Sequence, residues 1–284
     1  MDFNGIIFPA PSFDKSKISS FKDEIIFIPR NKIDKKAYIP VLFLKAQSKT
    51  PIKNYIIFFH GNAEDIFGAR LMAERLQYKL NMNILIVEYP GYSIYDTMDK
   101  DSNTILEDTT IVYDYLLANV SNISEDNIFI FGRSIGTSPA IYLASKRKPS
   151  ALFVVSAFTT IRAVAQNIVG FLKVFLSERF KSIEYIKGVT CPIMFIHGQK
   201  DPLIPYTETE LLKEACDCPK EVLFPENMTH NDYDLEEDII EPINVFVNKH
   251  CDIEDNEPDK VAMIKEDVFV IPEEIEKRVY GKKY

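Results

Sequence analysis

Five consecutive residues, Gly132-Arg133-Ser134-Ile135-Gly136, carry the densest chemical information in this chain. They match G-x-S-x-G, a pattern with mechanical meaning only where a strand turns sharply into a helix. Residues 127–131 are almost wholly apolar and read as a short buried strand, and residues 137–145 read as a helix. A serine on such a corner is pushed out toward solvent and substrate. Glycine is needed on both sides because a side chain there would strike the adjoining strand and helix.

A serine hydroxyl becomes a useful nucleophile only when a base takes its proton and a carboxylate orients that base. The chain has four histidines, so the base can be sought by elimination. His60 and His197 each end an apolar strand and precede a glycine, positions that favour local packing and bonding. His250 closes the last regular helix beside an acidic stretch. His230 remains, in the polar loop Met228-Thr229-His230-Asn231-Asp232. The acid candidate is Asp201, which follows the seventh strand and can also serve as a turn or cap aspartate.

Attack on an acyl carbonyl also needs donors for the developing oxyanion. One is the backbone N–H of Ile135, directly after the serine. The second belongs to the turn after the third strand, His60-Gly61-Asn62-Ala63-Glu64. It is assigned to the N–H of Asn62, with Ala63 as its near alternative. Of the ten glycines, Gly61, Gly132, Gly136 and Gly198 fall in or beside these motifs, and Gly91 falls in Tyr89-Pro90-Gly91-Tyr92-Ser93 on the same rim.

The elements that must position these groups alternate. Strand-like runs cover residues 24–28, 38–44, 55–59, 84–88, 128–131, 151–155, 193–197 and 221–224. From the third onward most are short and apolar throughout, as strands buried on both faces are. The first two are more polar, carry or precede proline, and read as edge strands. Helical patterns occupy 69–80, 106–119, 139–146, 208–215 and 236–249. Strand and helix in alternation imply a mainly parallel sheet with helices on both faces, its ligand-binding rim at the strands' C-terminal ends.

An excursion between residues 156 and 191 breaks the rhythm. Its apolar middle, residues 164–176, is either a core-packing helix or a small cap. As a cap it would line an acyl pocket with Val164, Ile168, Phe171, Leu172 and Phe175, or face lipid. Residues 252–259 form an acidic linker, and residues 261–279 carry apolar side chains able to dock on the body.

Bulk properties narrow the function. The 284 residues suffice for one large α/β domain, and 46% hydrophobic with 26% charged residues is ordinary for a globular protein. A net charge of −9 opposes binding to a nucleic-acid backbone. Cys191, Cys216, Cys218 and Cys251 show neither a disulfide-framework nor a zinc spacing and suit a reducing compartment; the Cys216/Cys218 pair reads as incidental. The first residues have neither a basic start nor a long apolar run, so no signal peptide is expected, and no segment reaches the roughly 18 apolar residues of a membrane span. The N-x-S/T triplets at Asn119, Asn122 and Asn227 would carry weight only in a secreted chain.

The segments Phe58-Phe59-His60-Gly61-Asn62-Ala63-Glu64, Tyr89-Pro90-Gly91-Tyr92-Ser93, Phe131-Gly132-Arg133-Ser134-Ile135-Gly136-Thr137, Ile196-His197-Gly198-Gln199-Lys200-Asp201 and His230-Asn231-Asp232 resemble the α/β-hydrolase superfamily over about residues 20–250. The order Ser134, Asp201, His230 is that superfamily's order. Within it, the chain resembles intracellular serine hydrolases that remove palmitate from peripheral membrane proteins, and the related bud-emergence-type hydrolases. It departs from them at Thr229 and Ser93, where glycine is usual, and it has no cysteine among residues 1–30, which puts membrane anchoring by lipidated cysteines in doubt.

The resemblance implies an α/β-hydrolase fold: a mostly parallel eight-stranded sheet, helices on both faces and a small helical cap. The expected domains are an arm at 1–20, a hydrolase domain at 21–250 with a cap insertion at about 157–190, and an acidic extension at 251–284. The expected activity is cytoplasmic hydrolysis of an acyl ester or thioester, palmitoyl-protein first, without metal or cofactor. An acylated protein or lipid ester is the expected partner, with peripheral membrane contact through the cap. A monoacylglycerol lipase or esterase, an aminopeptidase-like hydrolase gripping an amino terminus with Glu64 or Glu178, and a non-catalytic binding protein remain as alternatives.

Overall fold

A computed structural model describes residues 10–12, 18, 20–30, 37–48, 52–95, 101–164, 179–253 and 269–280. Eight strands form one sheet: β1 (Ile25–Pro29), β2 (Tyr38–Leu44), β3 (Tyr55–Phe59), β4 (Asn83–Val87), β5 (Ile128–Arg133), β6 (Ala151–Val155), β7 (Ile193–Ile196) and β8 (Lys220–Leu223). Their spatial order is β1-β2-β4-β3-β5-β6-β7-β8. β2 runs antiparallel to both β1 and β4, and every other pair is parallel.

Strand faces alternate, and the alternation builds two cores. Tyr55, Ile57 and Phe59 of β3 face one side with Ile128 and Ile130 of β5. They pack there against α2 (Ser102–Asn119) and α3 (Thr137–Lys146) through Val112, Tyr113, Ile141 and Leu143. Ile56, Phe58, Phe129 and Phe131 face the other side. They meet α1 (Arg70–Leu80) and α5 (Glu241–His250) through Leu76, Ile243 and Phe246. Stacked rings run across this face, with Phe58 and Phe131 centroids 4.4 Å apart and Phe246 edge-on to Phe153. Between α3 and α5 lies α4 (Thr207–Glu214), whose Leu212 enters the first core. The sheet thus has helices on both faces.

Three expectations need correction. β2 is not an edge strand: it lies between β1 and β4, and Pro40 sits beyond the β2–β4 ladder, opposite Phe27 of β1. The last helix is not continuous. A π-helical stretch at Leu235–Ile240 precedes α5, and Pro242 in the first turn of α5 has no N–H to extend it. Cys216 and Cys218 are bonded to each other as a disulfide; a spacing of one residue carries no signature of pairing in the sequence. Cys191 and Cys251 are free.

The neck of the excursion is defined. Ile161 N–H donates to the Arg179 carbonyl at 3.1 Å, and Ile183 N–H donates to the Thr159 carbonyl at 3.1 Å. A helical turn at 161–164 and another at Ser182–Tyr185 flank it. Val164 is buried there, whereas Ile168, Phe171, Leu172, Phe175 and Glu178 lie outside the described residues. At the C-terminal end α6 (Glu273–Tyr280) buries Ile275 against the second core, and the Phe269 ring lies 6.0 Å from that of Phe43. Among the described residues no helix is long and apolar enough to cross a membrane.

Candidate active site

β5 ends at Arg133, and Ser134–Gly136 form a single 3-10 turn that runs directly into α3. Ser134 has a φ of 52°, in the left-handed region that costs a residue with a Cβ about 1–2 kcal/mol. The flanking glycines make this corner possible. A Cβ on Gly132 would overlap the carbonyl of Gly136, and one on Gly136 would overlap the carbonyl of Phe59. The strand, the corner and the helix are therefore stacked with no space for a side chain at either glycine.

The hydroxyl of Ser134 lies 3.0 Å from Nε2 of His230, and Nδ1 of His230 lies 2.7 Å from Oδ2 of Asp201. The three residues are only 7–9% exposed. His230 comes from the loop after β8 and Asp201 from the loop after β7. Those loops touch at Gly198, where a Cβ would overlap the Met228 carbonyl, and Lys200 N–H donates to that same carbonyl at 3.1 Å.

Asp201 is held as an anion. Burial opposes its ionisation, but hydrogen bonds from His197, His230 and the Ile204 N–H outweigh it and keep the carboxyl well below the usual range. Its Oδ1 accepts from the N–H groups of Leu203 and Ile204, both at 2.9 Å, so it orients the imidazole and closes its own turn.

None of the remaining histidines takes the place of His230 beside Ser134, although His197 Nε2 also lies 3.4 Å from Asp201 Oδ2. His60 is fully buried, with Nδ1 2.9 Å from the Gly61 carbonyl and Nε2 3.2 Å from Glu88. His197, also fully buried, has Nδ1 2.7 Å from Thr209 Oγ1 and Nε2 2.9 Å from the Ile204 carbonyl. His250 pairs with Glu221.

β3 lies beside β5 with Phe59 opposite Gly132, so the turn at Gly61–Glu64 and the amide of Ile135 follow adjacent strand ends. Gly61 N–H donates to Glu64 Oε1 at 2.5 Å. With the Gly61 amide taken, the next ones along the turn are Asn62 and Ala63. The Asn62 side chain accepts a hydrogen bond from Tyr92 at 2.9 Å, and Ala63 has a φ of 58°.

No family model matches the chain. Relatives nonetheless share most of it. Alpha/beta hydrolase domain-containing protein 17B of Homo sapiens is 29% identical over 197 residues, 69% of this chain and 67% of that protein. Alpha/beta hydrolase domain-containing protein aho-3 of Caenorhabditis elegans is 29% identical over 193 residues, covering 68% of this chain and 57% of that protein. Among solved structures, Est1E from Butyrivibrio proteoclasticus superposes with a TM-score of 0.62 at 14% identity, covering 80% of this chain and 98% of Est1E. Mouse alpha/beta hydrolase domain-containing protein 10 gives 0.55 at 16% identity, over 79% of this chain and 98% of the mouse chain. The chain has the α/β-hydrolase fold. The reaction class its relatives support is hydrolysis.

The geometry accounts for both departures from the usual α/β-hydrolase pattern. Thr229 Oγ1 accepts from the Asp232 N–H at 2.9 Å and ties the base loop into a turn, a bond glycine would not make. Ser93 occupies a position with φ 32°, where glycine would be relaxed. Its hydroxyl donates to the buried carboxylate of Glu88 instead.

Two features of this site carry no clear signature in the sequence. Glu88 is fully buried behind the Gly61 turn, where it accepts from Ser93, from Tyr89 N–H at 2.9 Å and from Ile66 N–H at 3.4 Å. A lone acid ending an apolar strand was the available signal. Arg133, inside the serine motif, reaches the loop of His230. Glu64, a candidate grip for a substrate amino terminus, is committed to Gly61 and Arg133. Among the described residues no three His, Cys, Asp or Glu side chains converge as a metal site requires.

Proposed function

We propose that this α/β-hydrolase is a serine hydrolase that cleaves a long-chain acyl ester or thioester, with palmitoyl-protein thioesters as the leading substrate class. One observation carries the reading: a strained, glycine-flanked Ser134 whose hydroxyl is in hydrogen-bond reach of an imidazole that is itself oriented by an anionic carboxylate. In this reading His230 Nε2 takes the hydroxyl proton as Ser134 Oγ attacks the acyl carbonyl. The amides of Ile135 and Asn62 stabilise the oxyanion. The imidazolium gives its proton to the departing alcohol or thiol, leaving an acyl-serine. Water, deprotonated by the same imidazole, releases the fatty acid and restores the serine.

The acyl preference is supported by the apolar run from residue 164 to 176, by burial of Val164 at its start and by the sequence resemblance. The engagement of Glu64 with Gly61 and Arg133 disfavours the peptidase alternative. A fluorophosphonate probe tests the core of the reading: it should label Ser134 in the native chain and leave Ser134→Ala unlabelled. Rates on p-nitrophenyl esters from acetate to palmitate test the substrate class, and a maximum at acetate would refute the long-chain assignment.

A further inference from the structure

We infer that Arg133 is the positioning residue of this site, one guanidinium that fastens the base loop and the oxyanion loop to the strand bearing the nucleophile; the inference rests on the serine-hydrolase reading above. Arg133 is the last residue of β5, and its side chain is only 12% exposed. Its Nη2 donates to the backbone carbonyl of His230 at 2.8 Å and to Oδ1 of Asn231 at 3.0 Å. Its Nη1 lies 3.4 Å from Oε1 of Glu64, the same oxygen that accepts the Gly61 N–H. The guanidinium also stands 5.6 Å over the Tyr233 ring. These partners come from segments 69 and 97 residues away in sequence.

The base loop needs such a tie. Residues 228–234 have no regular secondary structure. Their internal bonds, between Thr229 and Asp232, fix the shape of the turn and not its distance from Ser134. The contact at Gly198 joins this loop to the acid loop, again not to β5. Beside the Ser134–His230 bond itself, Arg133 supplies a polar link from the nucleophile strand to the backbone of the residue that holds the imidazole. Through Glu64 it reaches the Gly61 turn as well. Gly61 permits the meeting, since a Cβ there would overlap both Glu64 Oε1 and Arg133 Nη1.

The geometry calls for arginine specifically. Three acceptors in different directions are served by a rigid planar fork with five donors. A lysine ammonium keeps the charge but cannot span His230, Asn231 and Glu64 from one point. Displacing the reacting groups by about 1 Å is worth roughly 10²-fold in rate. The loss should therefore fall on kcat, because none of the atoms involved need touch the acyl chain.

The experiment compares native protein, Arg133→Lys and Arg133→Met. It measures hydrolysis of p-nitrophenyl octanoate, the rate of fluorophosphonate labelling and thermal unfolding. Both variants should lose about 10- to 100-fold in kcat with KM changed less than about threefold, and labelling of Ser134 should slow by the same factor. Arg133→Lys should unfold within a few degrees of the native chain, which separates positioning from general stability. If Arg133→Met does not fold, Arg133→Lys decides alone. A kcat within twofold of native in Arg133→Lys, or a loss matched by the unfolded fraction, overturns the inference while the labelled native protein still supports the reading beneath it. Failure of the native chain to label would overturn both.

Discussion

Gly136 lies so close to Phe59 that a Cβ on it would overlap the Phe59 carbonyl oxygen, with the His60 carbonyl the next atom met. Both obstacles are backbone, so no side chain can swing aside. The contact joins the helix after the nucleophile to the strand that leads into the Gly61 turn. Gly136→Ala should therefore cost about 1–3 kcal/mol by overpacking. On the proposed mechanism it should also lower kcat by about 10²-fold by displacing the Ile135 amide relative to the Gly61 turn. Thermal unfolding and ester hydrolysis measured together check this, and a variant with native stability and rate would show that the corner has slack.

The carboxylate of Asp201 serves two ends, and they separate experimentally. Asp201→Asn keeps the shape but lets the amide present a donor to His230 Nδ1, favouring the wrong tautomer; kcat should fall by about 10⁴. Stability should respond in an acid window. Asp201 has its folded pKa below the unfolded value of about 3.9, so its contribution is fully present above about pH 4 and is lost as pH falls through the lower folded value. The stability gap between native and Asp201→Asn, followed by urea unfolding, should be constant from pH 7 to 5 and narrow below pH 4. A gap that widens on acidification would contradict the assignment.

Much of this was legible in the sequence because the central strands are buried on both faces. Runs such as Tyr55–Phe59 and Ala151–Val155 have no polar register to misread, and their bounds are those of β3 and β6. Loops at strand ends then put Ser134, Asp201 and His230 on one rim, a matter of topology alone. Element ends were less readable. α2 starts at Ser102 rather than 106 because its first turn, Ser102-Asn103-Thr104, is polar and is held by Asp101, whose side chain accepts from the Thr104 N–H at 3.0 Å. The Cys216–Cys218 bond and the ties of Arg133 stayed hidden for a different reason. The first joins near neighbours whose spacing carries no signature of pairing, and the second depends on side-chain reach across the fold, which no periodicity encodes.

Ser93 offers a separable test of the buried acid behind the Gly61 turn. Its backbone would be relaxed with glycine, yet its hydroxyl is one of the bonds that satisfy Glu88. Ser93→Ala keeps the positive φ and loses the bond, and should cost about 1–3 kcal/mol. Ser93→Gly loses the same bond but relieves about 1 kcal/mol of backbone strain. The glycine variant should therefore unfold at the higher temperature of the two. The reverse order would mean that the φ of Ser93 carries no strain.

Asp108 sets a pH dependence of opposite sign to that of Asp201. It is buried on α2, where Arg30 Nε donates to it at 2.6 Å and the Tyr95 hydroxyl at 3.0 Å. Burial nevertheless dominates those two partners and pushes its pKa up to about 6. The folded chain thus holds this proton more tightly than the unfolded chain, whose aspartate titrates near 3.9. The stabilisation belongs to the protonated form, is fully present below about pH 4 and is lost as pH rises through about 6. The native chain should lose on the order of 3 kcal/mol across that interval from this group, a slope absent from Asp108→Asn. Unfolding midpoints at pH 4.5 and 7.5 check it: the variant's stability relative to native should rise with pH. A difference that stays flat would mean that Arg30 and Tyr95 compensate the burial of the charge in full.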